Sequence, residues 1–260
     1  MSSHLNNLDH FRILRLSDGK VEYLRQLEST SCDSLSFVDR LDLILSYEAT
    51  ARTNRRIHRR LKESGLRTIA YSEEFSFESE RGITRSQFAN LISLSWMTSA
   101  HNLVVSGMTG VGKSYLVSTV GTQAARAEMT LRYHRTSDLI EKLALARADG
   151  SHRSVVNLYR NLDLLLLDDF GLSPVPVSAS RELLEILDER AGRASTVIAS
   201  QFPPDSFHSL IEDKTAADAI MDRVIHDAIV VNLSGESMRK LKARHVTLDS
   251  LVDPAKQKGD

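Results

Sequence analysis

The sequence predicts an α/β protein: a mainly parallel sheet flanked by helices, preceded by a small helical domain. Three observations predict it. From His101 onward, strand-like and helix-like segments alternate, the pattern of a sheet wound with crossover helices. Residues 107–114 read Gly-Met-Thr-Gly-Val-Gly-Lys-Ser, between a short apolar run and an amphipathic one. Residues 164–167 are four consecutive leucines, as a central strand buried on both faces requires, and they end in Asp168 and Asp169.

Composition sets the frame. The chain has 260 residues, a formal charge of −1, 42% hydrophobic and 26% charged residues, the profile of an ordinary globular protein. The length suits one large domain, or a medium domain with a small appendage. Cys32 is the single cysteine. A disulfide framework and a Cys/His zinc site are thereby excluded, Cys32 reads as a small half-buried residue, and a reducing cytoplasm is expected. Residues 1–10 lack the apolar core of a secretion signal, and no apolar run is long enough to span a bilayer, so no membrane association is expected. A near-zero charge argues against a polyanion coat but leaves room for local basic clusters.

Residues up to Ser36 are polar, with a weak amphipathic stretch over 21–27. From Phe37, Leu41, Ile44, Leu45, Ile57 and Leu61 recur at near-helical spacing; Ser36 or Asp39 is the expected cap and Gly65 the expected stop. Residues 71–81 are acidic, aromatic and aperiodic, a linker, and a short helix is expected over 86–96. Strands are expected over 102–106, 130–134, 162–167, 196–200 and 228–233. Helices are expected over 113–127, 137–148 (capped by Thr136 or Ser137), 179–191, 215–226 and 236–243. The expected division is a helical DNA- or partner-binding region over 1–70, a linker leading into the core over 71–100, a nucleotide-binding domain over 101–245 and a flexible tail over 246–260.

The segment 107–114 fits G-x-x-x-x-G-K-[ST] in the strand–loop–helix context the motif needs. Glycines let the backbone N–H groups approach phosphate oxygens, and the following helix turns its positive end to the anion. Contacts to ATP are expected from Gly107, Met108, Thr109, Gly110, Val111, Gly112, Lys113, Ser114 and Tyr115. Lys113 offers an ammonium to the terminal phosphates and Ser114 a hydroxyl to Mg²⁺. Of the two strand-end carboxylates, Asp168 is expected to hold Mg²⁺ and Asp169 to orient the attacking water. At the next strand tip, Ser200 or Gln201 either positions that water or only caps the strand. Arg223 is either a surface arginine paired with Asp222 or a finger inserted into a neighbouring subunit's site. Arg239 is a candidate contact to the γ-phosphate of its own subunit.

Taken together, the phosphate loop, Asn54-Arg55-Arg56, Ala146-Arg147-Ala148-Asp149-Gly150, Leu167-Asp168-Asp169-Phe170-Gly171, Ser200-Gln201-Phe202-Pro203, Met221-Asp222-Arg223-Val224 and Gly235-Glu236-Ser237-Met238-Arg239 resemble the IstB family, ATP-binding helpers of insertion-sequence transposition. The resemblance covers most of the chain. It implies an AAA+ ATPase domain related to the DnaC-type helicase loaders, and a small helical N-terminal domain. It also implies assembly into a homo-oligomer on double-stranded DNA and partnership with a DDE transposase. By the same match Arg223 takes the trans-acting finger position, Arg239 that of a second sensor, and Gln201 or Ser200 that of the first. Phe170, where family members often carry tryptophan or leucine, and the unusually polar N-terminus depart from the pattern.

Arg52, Arg55, Arg56, Arg59 and Arg60 fall at i, i+3, i+4, i+7 and i+8, largely one helical face. The face is either solvated and paired with acids from elsewhere or, with Glu63 the only acid evident nearby, a contact to DNA phosphates, which gives affinity rather than sequence specificity. Two other functions fit the core motif: a helicase loader, with an N-terminal domain that grips a helicase, and a metabolic kinase, which leaves Arg223 and the basic helix without a role.

Overall fold

The computed structural model describes residues 2–32, 34–77 and 81–238. Met1–Arg59 and Arg60–Asp260 are two compact units.

The first unit contains α1 (Ser2–Ile13), α2 (Ser17–Glu28) and most of α3 (Phe37–Ser64). Ser36 is the cap of α3, its hydroxyl accepting from Asp39 N–H at 3.2 Å, and Gly65 ends the helix at φ +76°. Around α2 the structure is more regular than the sequence suggested. The reason is a long-range partner: the buried Glu48 carboxylate on α3 accepts from the Asp18 and Gly19 N–H groups, both at 2.9 Å. It thereby satisfies the first-turn donors of α2, work that a side chain local to α2 would otherwise do. Burial pushes the Glu48 carboxyl up, but the bonds from Gly19, Arg52 and Asp18 outweigh it and hold the group below the usual carboxylate range.

The second unit opens with α4 (Arg85–Ile92), set by a Thr84/Gln87 capping box. Then follow β1 (Asn102–Gly107), α5 (Lys113–Arg126), β2 (Leu131–Arg135), α6 (Thr136–Ala148), α7 (His152–Arg160), β3 (Leu164–Phe170), α8 (Val177–Arg190), β4 (Ser195–Ser200), α9 (Lys214–Ile225) and β5 (Ala228–Leu233). The strands pair in parallel in the order β2-β3-β4-β1-β5. Both faces are covered, which explains the leucine run. Leu164 and Leu166 pack with Leu103, Leu116 and Val120 on one face, whereas Leu165 and Leu167 pack with Leu139, Ile186 and Ile198 on the other.

The structure corrects several expectations. β3 continues to Phe170, so Asp168 and Asp169 lie within the strand rather than beyond it. Neither Thr136 nor Ser137 caps α6; Arg135 occupies that position without a capping side chain, and the Thr136 hydroxyl instead donates to Asp168 O at 3.1 Å. α7 was not anticipated, because only Val156 and Tyr159 of its nine residues are buried and no second turn repeats the pattern. Its end is held by a fully buried arginine: Arg190 Nη1 donates to Tyr159 O at 2.6 Å and Leu162 O at 2.8 Å, and Nε to Thr196 Oγ1 at 3.2 Å. Burial pushes the Arg190 guanidinium down to about 10, which leaves it charged at neutral pH. The helix expected over 236–243 and the tail over 246–260 fall mostly or wholly outside the described residues.

Candidate functional site

The site grows from the β1–α5 connection. Gly107 leaves β1 at φ +143°, and a Cβ there would lie 2.2 Å from Leu233 O on β5. Gly110 sits at φ +88°, and its Cβ would lie 2.3 Å from Ser237 Oγ. Neither position admits a side chain. The loop is also tied down from outside, since Met238 N–H donates to Gly110 O at 2.9 Å. Gly112 is the N-cap of α5, whose N-terminus, with its positive end, faces the hollow of the loop. Lys113 is buried and folds over the loop, its ammonium donating to Gly107 O at 2.7 Å and Met108 O at 2.9 Å.

A cavity of about 330 Å³ opens on this loop. Thr109, Gly110, Gly112, Lys113, Ser114 and Tyr115 line it on one side, and Asp169 and Gln201 come to it from the ends of β3 and β4. Residues some 50 to 90 positions apart in sequence are thus brought together at the carboxyl edge of the sheet, where open α/β folds bind ligands. Within the loop itself, Val111 is buried beneath the site, and the Met108 side chain is exposed and is not on the cavity wall.

The two aspartates have different environments. Asp168 is buried; Oδ2 accepts from the Tyr133 hydroxyl at 2.8 Å and Oδ1 from Asp169 N–H at 2.9 Å. Burial, then the Asp168 charge, push the Tyr133 hydroxyl up, so it remains a proton donor to that carboxylate at any neutral pH. Asp169 is on the cavity wall, in the left-handed region at φ +56°, and its Oδ2 is 3.1 Å from Arg135 Nε. A non-glycine residue held at positive φ is sparsely populated and costs about 1 kcal/mol or more.

Ser200 and Gln201 differ in placement. Ser200 is fully buried; its hydroxyl donates to Phe170 O at 2.7 Å and accepts from Phe202 N–H at 3.1 Å, whereas Gln201 lines the cavity. Arg223 on α9 lies away from the cavity wall of its own chain. Its Nε donates to Asp188 Oδ1 at 2.6 Å, closer than the expected partner Asp222 at 3.5 Å. Arg239 falls outside the described residues.

Four wall residues were missed by sequence reading: Glu74, Ser76, Arg81 and Met238. The first three lie in the segment 71–81, which has no period. The available signal was aromatic: Phe75 stacks on Phe88 at 4.3 Å and lies 6.1 Å from the Tyr115 ring, which brings the residues on either side of it to the cavity.

The arginine face of α3 is less bare than its sequence suggested. Arg52 donates to Glu48 Oε1 at 2.6 Å and to Arg15 O at 2.6 Å, and Arg55 pairs with Asp18 and, at 3.7 Å, with Glu48. The expected scarcity of acids is therefore corrected: Glu48 lies one turn before Arg52, and folding delivers Asp18. Arg56 donates to Thr53 Oγ1 at 3.2 Å; Arg56 and Arg59 are exposed, and Arg60 is half-buried in the second unit.

Comparison with known proteins places this geometry. The sequence profile of the IstB-like ATP-binding proteins matches residues 10–246. The chain belongs to this family. This IstB-like chain is 38% identical over 237 residues, 91% of its own length and 97% of the relative's, to an insertion-sequence ATP-binding protein of Sinorhizobium fredii. It is 28% identical over 234 residues to an insertion-sequence ATP-binding protein of Bacillus thuringiensis subsp. berliner, covering 90% and 92% of the two chains. Among solved structures it resembles AMPPCP-bound DnaA from Aquifex aeolicus, with a TM-score of 0.56 and 19% identity over 71% of this chain and 57% of that one. It also resembles DnaI, with a TM-score of 0.54 and 19% identity over 65% of this chain and 92% of that one. At these identities the likeness is one of fold. The IstB-like chain is an ATP-binding protein with an AAA+ fold. Among the described residues no helix is long and apolar enough to cross a membrane.

Proposed function

We propose that this chain is an ATP-dependent, DNA-binding helper of insertion-sequence transposition, and that it hydrolyses ATP slowly with Mg²⁺. In this reading ATP-bound copies assemble as a homo-oligomer on double-stranded DNA and cooperate with the DDE transposase of the element, and hydrolysis releases the assembly. The observation that carries it is the meeting of phosphate loop, Asp169 and Gln201 on one cavity in a chain whose relatives are insertion-sequence ATP-binding proteins.

The residues fit the chemistry. Ser114 and Asp169 present oxygen donors on the cavity wall, with the Asp168 carboxylate behind them, a hard set suited to Mg²⁺. Among the described residues there is no cluster of three His, Cys, Asp or Glu side chains, in keeping with an ion held largely by nucleotide phosphates. Ser114 and Asp168 would hold Mg²⁺, which supplies charge neutralisation at the transferring phosphoryl group. Lys113 exchanges its two loop carbonyls for phosphate oxygens. Asp169 accepts a proton from water as the water oxygen bonds to the γ-phosphorus; the bond from that phosphorus to the bridging oxygen breaks, and its electrons leave with ADP. Gln201 orients the same water. The Arg135 guanidinium competes for the Asp169 carboxylate, so an intrinsically slow rate is in keeping with the pair. Arg223, released from Asp188, would complete a neighbouring copy's site, and Arg239 its own.

DNA contact is assigned to the α3 arginines Arg52, Arg55, Arg56, Arg59 and Arg60, of which Arg52 and Arg55 also pair with acids. Each phosphate contact releases condensed counterions, so log affinity falls with log salt by a slope of about 0.9 per contact on duplex DNA. Replacing Arg55, Arg56 and Arg59 with alanine should weaken duplex binding alike on unrelated sequences and flatten that slope by about 1 to 3 per subunit. Duplex affinity titrated against salt with ATP present measures this. A parental slope in the variant would assign the helix to folding or to a protein partner.

A further inference from the structure

We propose that a cavity beside the edge strand β2 is a phosphate-binding site, in which Arg60 and Arg132 together hold one backbone phosphate of duplex DNA. The proposal rests on the reading of this chain as a DNA-binding protein, and it adds to the α3 arginines a contact made by the sheet.

The cavity measures about 450 Å³ and is walled entirely by residues of the second unit. Arg60 and Glu63 come from the end of α3, Arg132 from β2, and Ser154, Asn157 and Asn161 from α7 and its C-cap. Thr130 and Leu131 at the start of β2 and Leu162 before β3 also line it. In a parallel sheet that places the cavity at the amino edge, opposite the edge where the phosphate loop, Asp169 and Gln201 meet. It is therefore separate from the nucleotide site.

Two guanidiniums meet here with hydrogen-bonding capacity to spare. Arg60 Nε is buried and has no hydrogen-bond partner among the described residues. A buried donor left without an acceptor is costly, the more so on a charged group, and an anion in the cavity relieves it. The Arg132 side chain is 25% exposed; Nη1 donates to Leu131 O at 3.0 Å, and Nη2 is 3.9 Å from Glu63 Oε2, too far for a hydrogen bond. Glu63 is the one carboxylate on the wall, and it is half-exposed, so solvent screens it. Asp163, the acid next to the start of β3, is engaged by the Thr130 N–H and hydroxyl, both at 2.7 Å. The balance on the wall is two cations against one anion, with the Ser154 hydroxyl and two side-chain amides as further donors. Paired guanidinium forks suit the oxygens of a phosphate. Duplex DNA is the source of that phosphate because Arg60 closes the arginine run of α3.

The test titrates duplex affinity against salt, with ATP and Mg²⁺, for the parent, Arg60→Gln, Arg132→Gln, the double variant and Arg132→Lys. The double variant should bind about tenfold more weakly on unrelated sequences and flatten the slope of log affinity against log salt by about 0.9 per subunit, one phosphate contact. Each single variant should show most of that loss, because both arginines serve the same phosphate, so the two losses do not add. Arg132→Lys, which keeps the charge, should hold the parental slope. ATP affinity should stay parental, and the unfolding midpoint should stay within a few degrees. A parental slope and affinity in the double variant would overturn the assignment. So would additive losses of about twice that slope, which mark two separate contacts, or a lowered midpoint with an unchanged slope, which marks a packing role. Weakened binding of inorganic phosphate with duplex binding unchanged would mark a free-anion site and overturn it as well. A parent that binds no duplex would remove the DNA reading itself, and this site with it.

Discussion

Lys113→Ala is expected to lower the affinity for ATP by about a hundredfold or more and to abolish measurable turnover. The ammonium donates to Gly107 O and Met108 O, so it already lies over the loop and needs little reorganisation to meet phosphate oxygens. Hydrogen bonds between charged partners contribute about 1.5–3 kcal/mol each, and two such contacts to the terminal phosphates account for the loss. The fold should survive, because the wall of the cavity can hydrate both carbonyls once the lysine is gone. Ligand-induced stabilisation gives a direct readout: ATP at a hundred times its Kd raises parental stability by about 2.7 kcal/mol, and the same concentration should leave the variant almost unmoved. A variant with parental affinity would mean that the loop is not where ATP binds.

Asp169→Asn should leave ATP affinity within about threefold of the parent and reduce phosphate release by about a hundredfold or more. Asparagine tolerates the left-handed backbone that this position requires, so the substitution removes the charge without adding strain. It also dissolves the pair with Arg135, a half-exposed contact of little stability, so unfolding should be barely altered. Asp168→Asn differs in kind: its amide group would face the Tyr133 hydroxyl and the Asp169 N–H, two donors that now converge on the carboxylate. Single-turnover phosphate release separates chemistry from binding, and a parental rate in Asp169→Asn would move water activation to Gln201 or elsewhere.

Much of this was legible in the sequence because it rests on local pattern. The leucine run implied a strand covered on both faces, and the glycine spacing implied a loop that admits no side chains at 107 and 110. What was not legible depends on partners distant in sequence. Glu48 orders α2 from a position 29 residues beyond Gly19, and the same carboxylate, with Asp18, engages two of the arginines that looked unopposed. The division of labour between Ser200 and Gln201 follows from which of two adjacent side chains points into the core at the end of β4, a phase that a strand tip leaves open. The aperiodic segment 71–81 concealed three cavity-wall residues, because its placement is set by aromatic contacts to α4 and α5 rather than by helical or strand repeat.

In the proposed function, ATP in the phosphate-loop cavity controls assembly on DNA. The most direct measurement is binding of the purified chain to a fixed duplex with Mg²⁺ and ATP, with ADP, and with no nucleotide, at one salt concentration. Tight, concentration-dependent assembly is expected with ATP, and at least tenfold weaker binding in the other two conditions. Equal duplex affinity in all three would contradict it.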